Sequence, residues 1–121
     1  TAVVSCVAGE SHQIGPKIVA DIMELNGWNT HFLGANTPGE ELLDFIRDTR
    51  PHIIALSLSI YFNLNSLMSL LLRLTNTFPE IPVIVGGQAF LLGGVDSVAR
   101  FPQVTYLSDI SSLECYLEER S

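Results

Sequence analysis

His52-Ile53-Ile54-Ala55-Leu56-Ser57-Leu58 is the stretch on which the fold turns. Apolar residues fill both alternating sets of positions, so both faces of this extended segment must be buried, as in a central parallel strand. Pro51, just before it, ends any preceding helix. Outward from this run, Thr1 to Val7 (TAVVSCV), Trp28 to Leu33, Ile81 to Val85 and Val104 to Leu107 also read as strands. Helical signals separate them. Ile18, Ile22 and Leu25 share one face of a helix expected over Ile14 to Asn26, with Gly27 as its stop. Thr37-Pro38-Gly39-Glu40 forms a capping box with proline at the first helical position, and the helix that follows presents Leu42, Phe45 and Ile46. Asn63 or Asn65 can cap a long third helix running to about Phe78. A short, glycine-interrupted helix is expected from Ala89 to Arg100, and Ser108 or Asp109 can cap the last one. Strands that alternate with helices predict an α/β, flavodoxin-like (Rossmann-like) fold: a five-stranded parallel sheet, order 2-1-3-4-5, with helices on both faces. Right-handed crossovers put helices one and five on one face and helices two to four on the other.

The 121 residues suit one domain and leave no room for two. With 47% apolar and 16% charged residues, the chain can build a core without a staple. A formal net charge of −7 repels phosphates, so no direct nucleic-acid contact by this domain is expected. No run approaches the ~20 apolar residues of a membrane span, and no signal peptide is visible. Cys6 and Cys115 lie outside any C-x-x-C spacing; Cys6, in an apolar run, reads as a small buried hydrophobe. The chain opens at Thr1 directly in a strand, which reads as a domain cut from a larger cytoplasmic protein.

In such a sheet, ligands bind beyond the carboxyl ends of the strands, near the switch between strands one and three. The loop after strand one holds Glu10-Ser11-His12-Gln13-Ile14-Gly15, an E-x-H-x-x-G pattern. A neutral imidazole is a good transition-metal ligand, and a carboxylate on its other nitrogen fixes the tautomer. Gly15 permits close backbone approach, and Pro16 suits a first helical turn. Taken alone, the same residues also read as a solvated histidine with an acidic neighbour. Ser57 and Ser59, ending strand three, read either as local backbone partners where the strand frays or as a small polar lining for a ligand. Gly86-Gly87, ending strand four, reads as a turn or as a gap against which a planar group packs. His52 opens strand three at the opposite edge, and His31 lies within strand two, away from the switch.

Together these pieces resemble the B12-binding domain shared by cobalamin-dependent methionine synthase, certain mutases, corrinoid methyl carriers and B12-dependent regulators. The family pattern D-x-H-x-x-G, then S-x-L, then G-G, is matched in order by Glu10 to Gly15, by Ser57-Leu58-Ser59 and by Gly86-Gly87. The resemblance spans almost the whole chain. It implies base-off, His-on binding: the dimethylbenzimidazole tail leaves cobalt and inserts beside Ser57 and Gly86-Gly87, and His12 becomes the lower axial ligand. Glu10 stands where the family has Asp, and Ser59 where Leu is common. Gly9-Glu10-Ser11-His12-Gln13-Ile14-Gly15, followed by Phe32-Leu33-Gly34-Ala35-Asn36-Thr37-Pro38, looks more like the sensory branch, which includes repressors built on adenosylcobalamin and photoreceptor domains that bind haem.

The resemblance therefore implies a cobalamin-binding sensory module of transcription regulation, without catalytic activity of its own, carrying adenosyl- or methylcobalamin. A neighbouring domain of the same longer protein would cover the upper corrin face. A corrinoid methyl-carrier domain of a methyltransferase or mutase, and a haem sensor using His12, are the alternatives. A response-regulator receiver shares the strand order but needs an Asp ending strand three and a Lys after strand five, and neither is present. A flavodoxin's phosphate loop would not carry Glu10. Helix three, with Leu64, Leu67, Met68, Leu70, Leu71, Leu72 and Leu74, is apolar around more of its circumference than one buried stripe needs. Part of it is expected to meet a second copy, giving a homodimer, or a neighbouring domain.

Overall fold

The structure is a computed structural model, and it describes residues 1–6, 14–33, 39–58, 63–87, 90 and 93–120, the side chains of 14–16 and 120 excepted. The elements run β1 (Ala2–Cys6), α1 (Ile14–Leu25), β2 (Thr30–Phe32), α2 (Gly39–Thr49), β3 (Ile53–Ser57), α3 (Leu64–Thr77), β4 (Val83–Gly86), α4 (Val95–Val98), β5 (Val104–Tyr106) and α5 (Ile110–Arg120). The strands form one sheet in the order β2-β1-β3-β4-β5, and every neighbouring pair is parallel. This is the expected topology.

Alternation along each strand divides the apolar residues between two cores. Val3, Ile54, Leu56, Val83 and Val85 pack with Ile46 of α2, Leu71 of α3 and Val98 of α4. Ala2, Val4, Ile53, Ala55 and Ile84 pack with Ala20 and Met23 of α1 and Leu113 and Leu117 of α5. Helices one and five thus share one face and helices two to four the other, as right-handed crossovers require. β3, at the centre, is buried from Ile53 through Leu56.

Helix ends follow local chemistry. At the close of α1, Gly27 takes φ 89, the Gly27 N–H donates to the Glu24 carbonyl and the Trp28 N–H to the Met23 carbonyl. This is a Schellman closure, which needs a residue that tolerates the left-handed region. Asp109 caps α5: its Oδ1 accepts the Ser112 N–H at 2.7 Å. Asn63 stands at the N-cap position of α3 without making the side-chain cap bond. The Thr37-Pro38 part of the capping box ahead of α2 lies outside the described residues. α4 is shorter than the Ala89 to Arg100 helix read from the sequence, because Gly93 and Gly94 adopt φ 140 and 94 and the helix starts only after them.

The apolar circumference of α3 is mostly used up inside the domain. Leu67, Leu70, Leu71 and Leu74 are buried, and Leu64 and Met68 pack against the same core. Leu72 alone of that set is strongly exposed, at 54%, and a single leucine is not a patch. No helix among the described residues is long and apolar enough to cross a membrane.

Ile54 is fully buried in the central strand, so Ile54→Ala should cost about 2–5 kcal/mol of unfolding free energy. Leu72→Ala should stay within about 0.5 kcal/mol, as surface changes do. Urea midpoints of the two variants against the parent check this, and equal shifts would contradict the assignment of α3's faces.

Candidate functional site

Strand register builds the site. Cys6 pairs with Ser57, and Ser57 with Gly86, in one row at the carboxyl edge of β1, β3 and β4. One step deeper on the same face, Val4, Ala55 and Ile84 form a second row. That deeper row belongs to the core beneath α1 and α5. By the period-2 alternation of a strand, Ser57 and Gly86 therefore look toward α1 and α5 as well.

A cavity of about 200 Å³ opens over these rows, between α1 and α5. Its floor is Val4, Ala55 and Ile84, and its walls include Val19 of α1 and Leu113 of α5. Ser57, Gly86, Gly87, Ser108 and Asp109 stand around the mouth. The interior is apolar and polarity is confined to the rim. At this volume the cavity falls below the ~300–1,000 Å³ of pockets that enclose a whole ligand. It has room for an apolar part of a ligand rather than for a whole one.

The two glycines at the mouth have distinct jobs. Gly87 takes φ 125, and a Cβ there would overlap the Leu58 carbonyl. The Leu58 N–H meanwhile donates to the Gly86 carbonyl at 2.9 Å. The chain leaving β3 thus lies directly against Gly87, and glycine is required for that approach. Gly86 is less constrained: its Cβ would lie 3.1 Å from the Leu107 carbonyl oxygen. Together they let the ends of β3 and β5 close on β4 while keeping the mouth free of side chains.

Asp109 carries the only negative charge among the described lining residues. The backbone N–H of Ser112, and then its hydroxyl, hold the Asp109 carboxyl below its ordinary value of 3.8. Hydrogen bonds donated to the charged form favour it. The carboxylate is therefore committed to capping α5, at the lip of the cavity.

Of the residues singled out in the sequence, Ser57, Gly86 and Gly87 come together at this mouth. Ile14 and Gly15 begin α1, whose Val19 walls the cavity. Glu10, Ser11, His12, Gln13 and Ser59 lie outside the described residues. His31 stacks edge-on against Phe45 at 5.4 Å, away from the cavity. His52 sits at the opposite strand edge, next to Thr1. Ala55, Val19 and Leu113 were not picked out from the sequence. The one signal for them was a small residue, Ala55, in the middle of a bulky apolar strand.

The B12 binding domain family profile matches residues 1–99. Over 86 residues, 71% of the chain, the sequence is 29% identical to the HTH-type transcriptional repressor CarA of Myxococcus xanthus, of which that stretch is 30%. The methanol:cobalamin methyltransferase complex MtaBC from Methanosarcina barkeri superposes with a TM-score of 0.81 at 23% identity, over 97% of this chain and 46% of that one. A cobalamin-binding protein from Desulfitobacterium hafniense DCB-2 superposes at 0.80 and 22% identity, over 98% of this chain and 57% of that one. At such identities the structural likeness is one of fold. The chain spans less than a third of the repressor and roughly half of each structure.

Two outcomes follow from this geometry. Gly87→Ala should destabilise by about 1–3 kcal/mol through the strained φ and the Leu58 overlap, and Gly86→Ala by less; urea midpoints that rank them in the reverse order would refute the close-approach account. Asp109→Asn keeps an acceptor but removes a titrating group. Because the folded value is depressed, the charge-dependent stability is present above the ordinary carboxylate value and is lost as pH falls through the depressed one. The stability gap between parent and Asp109→Asn should therefore shrink on acidification, and a pH-independent gap would contradict the capping role.

Proposed function

The chain belongs to the B12-binding domain family, and from that premise we propose that it is a cobalamin-binding sensory and regulatory module, with His12 as the lower axial ligand of cobalt and Glu10 as the carboxylate that orients it. The observation that carries this reading is the apolar slot between α1 and α5, whose mouth is formed by Ser57, Gly86 and Gly87. Cobalamin whose dimethylbenzimidazole has left the metal presents a flat, apolar ring on a tether, and the slot has the size and lining for such a ring. A haem has no appendage of this kind, so the slot favours the corrinoid over the haem alternative. When bound, the cofactor supplies a cobalt centre whose upper ligand can be exchanged.

The residues of the chain then divide the work. The Ser57 hydroxyl, at the end of the otherwise buried β3, would donate to the ring nitrogen of an inserted base. Gly86 and Gly87 let the tether pass without a side chain in its way. α1 begins at Ile14, just past His12, and is fixed to the sheet through Ala20 and Met23. β1 and α1, the described elements on either side of Glu10 and His12 in the sequence, are both packed into the domain. Glu10, accepting a hydrogen bond from the far imidazole nitrogen, holds the histidine in one tautomer and makes it a better donor. Ser11, Gln13, Gly15 and Ser59 complete the proposed cofactor contacts.

The regulatory side of the reading is supported by the 29% identity to a transcriptional repressor. The second reading, a corrinoid methyl-carrier domain, is supported by the fold shared with a methyltransferase complex. In both, a neighbouring domain covers the upper corrin face. With a net charge of −7, the domain adds no attraction for nucleic acid, so a regulatory output would pass through another part of the protein.

Titration of the parent, His12→Ala and Glu10→Gln with hydroxocobalamin, adenosylcobalamin and, separately, haem tests the proposal, with the base-off absorption change as the readout. Loss of a carboxylate behind a ligating histidine typically costs ~10–100-fold in metal affinity. Glu10→Gln should weaken binding by that order, and His12→Ala by more. Unchanged affinity and spectrum in His12→Ala would sink the axial assignment. Binding of haem with refusal of both cobalamins would move the chain to the haem reading.

A further inference from the structure

Two adjacent glycines leave the end of β4 with more backbone freedom than other residues would, and ordering them costs more on folding. A neighbouring group must therefore hold Gly86 and Gly87 in place, so that the Gly86 carbonyl can accept the Leu58 N–H at 2.9 Å. The next described residue is Phe90, and it is buried, with 4% of its surface exposed. Its N–H donates to the Gly87 carbonyl at 3.3 Å, and its carbonyl accepts the Gly93 N–H at 3.3 Å. Both bonds are longer than is usual for N–H···O, so the ring holds more firmly than the backbone does. That ring lies 5.0 Å from the Tyr106 ring of β5, tilted by 53°, and it belongs to the α2–α4 core together with Leu58. A Cβ on Gly94, just before α4, would come within 3.7 Å of the Phe90 ring. The exit from β4, the strand β5 and the start of α4 thus meet on one side chain, on the face of the sheet away from α1 and α5.

We propose that Phe90 is a positioning residue for the cofactor site: from the opposite face of the sheet it sets where the Gly86-Gly87 exit and the end of β3 stand. The inference rests on the cobalamin reading above and adds to it a residue that acts through Gly87. The route is short. Phe90 is bonded to Gly87, Gly87 lies against the Leu58 backbone, and Leu58 follows Ser57 directly. A buried aromatic ring gains enough from packing to order a glycine pair. A smaller side chain leaves the exit sampling other positions, and binding weakens in proportion to the time spent out of place.

Two core variants separate positioning from plain stability. Phe90→Leu stays apolar but loses the contact between rings. Leu74→Ala removes packing from the same core, in the last turn of α3, which its crossover carries toward the amino edge of the sheet. Hydrogen exchange of the cofactor-free protein compares the Leu58 amide, bonded to the Gly86 carbonyl, with the Ile54 amide, bonded to the Pro82 carbonyl at the other end of β3. The ratio of the two rates should rise on the order of tenfold in Phe90→Leu and keep its parent value in Leu74→Ala. Hydroxocobalamin affinity should fall roughly tenfold in Phe90→Leu, as when the competent conformation is populated one time in ten. It should keep its parent value in Leu74→Ala, although that change lowers the urea midpoint at least as far. Tyr106→Leu, at a half-buried position, removes the partner ring and should move both readouts the same way, which keeps the test open if Phe90→Leu does not fold. An exchange ratio unchanged in the ring variants would overturn the inference. So would a raised ratio with unchanged affinity, or an equal loss of affinity in Leu74→Ala. If the parent protein binds no corrinoid, the cobalamin reading falls, while the exchange ratio still decides whether Phe90 holds the mouth.

Discussion

Parallel pairing of β3 with β1 on one side and β4 on the other is the constraint from which the rest follows. A parallel neighbour cannot be reached by a tight turn, so each connection must carry a crossover over a face of the sheet. Both faces are thereby covered, and the strand between them is apolar on both sides, as β3 is. All five strands end at one edge, so the loops that could hold a ligand collect there. The division of helices is uneven. Three helices cover one face and two cover the other, and two helices over five strands leave a seam. The cavity between α1 and α5 is the upper part of that seam.

This explains what could be read from the amino acids and what could not. Strand order and helix faces are consequences of alternation, apolar runs and crossover handedness, all of which are local or topological. Gly27 and Asp109 were legible as a stop and a cap because their chemistry is contained within one helical turn. The α4 boundary was less so, since Gly93 and Gly94 can interrupt a helix or precede it, and only their φ values decide. The depth of the seam depends on how far apart α1 and α5 stand, which no segment encodes by itself. Even so, its floor left a trace: Ala55 and Gly86 are the small members of their two strands, on the same face and one row apart. The E-x-H-x-x-G stretch is the reverse case. Glu10 and His12 are legible as a pattern in the sequence, and the described residues reach only as far as Ile14, where α1 begins beside them.

The paired glycines show that a functional reading and a structural one need not compete. Gly87 is demanded by the Leu58 backbone, whatever binds at the mouth. Yet the close approach it permits is what brings the ends of β3 and β4 together as a smooth lip. Asp109 is similar. Its carboxylate is spent on α5, and by that capping it fixes where the helix starts, and hence where Ile110 and Leu113 meet the cavity.

A molecule held both by a tail in the slot and by a metal bond to His12 would be held at two points joined by a tether. Two linked attachments make the second an intramolecular event with a high effective concentration. Neither needs to be strong alone, and either can be released while the other retains the cofactor. On the sensory reading proposed above, that asymmetry would matter, since the output would be a change at the metal. The slot belongs to the packed sheet and its helices, with Val4 and Ile84 buried in the core, so it can stay fixed through such a change. On that reading the scaffold would supply retention and the proposed His12 ligand the response, with α1 beginning two residues after His12 in the sequence.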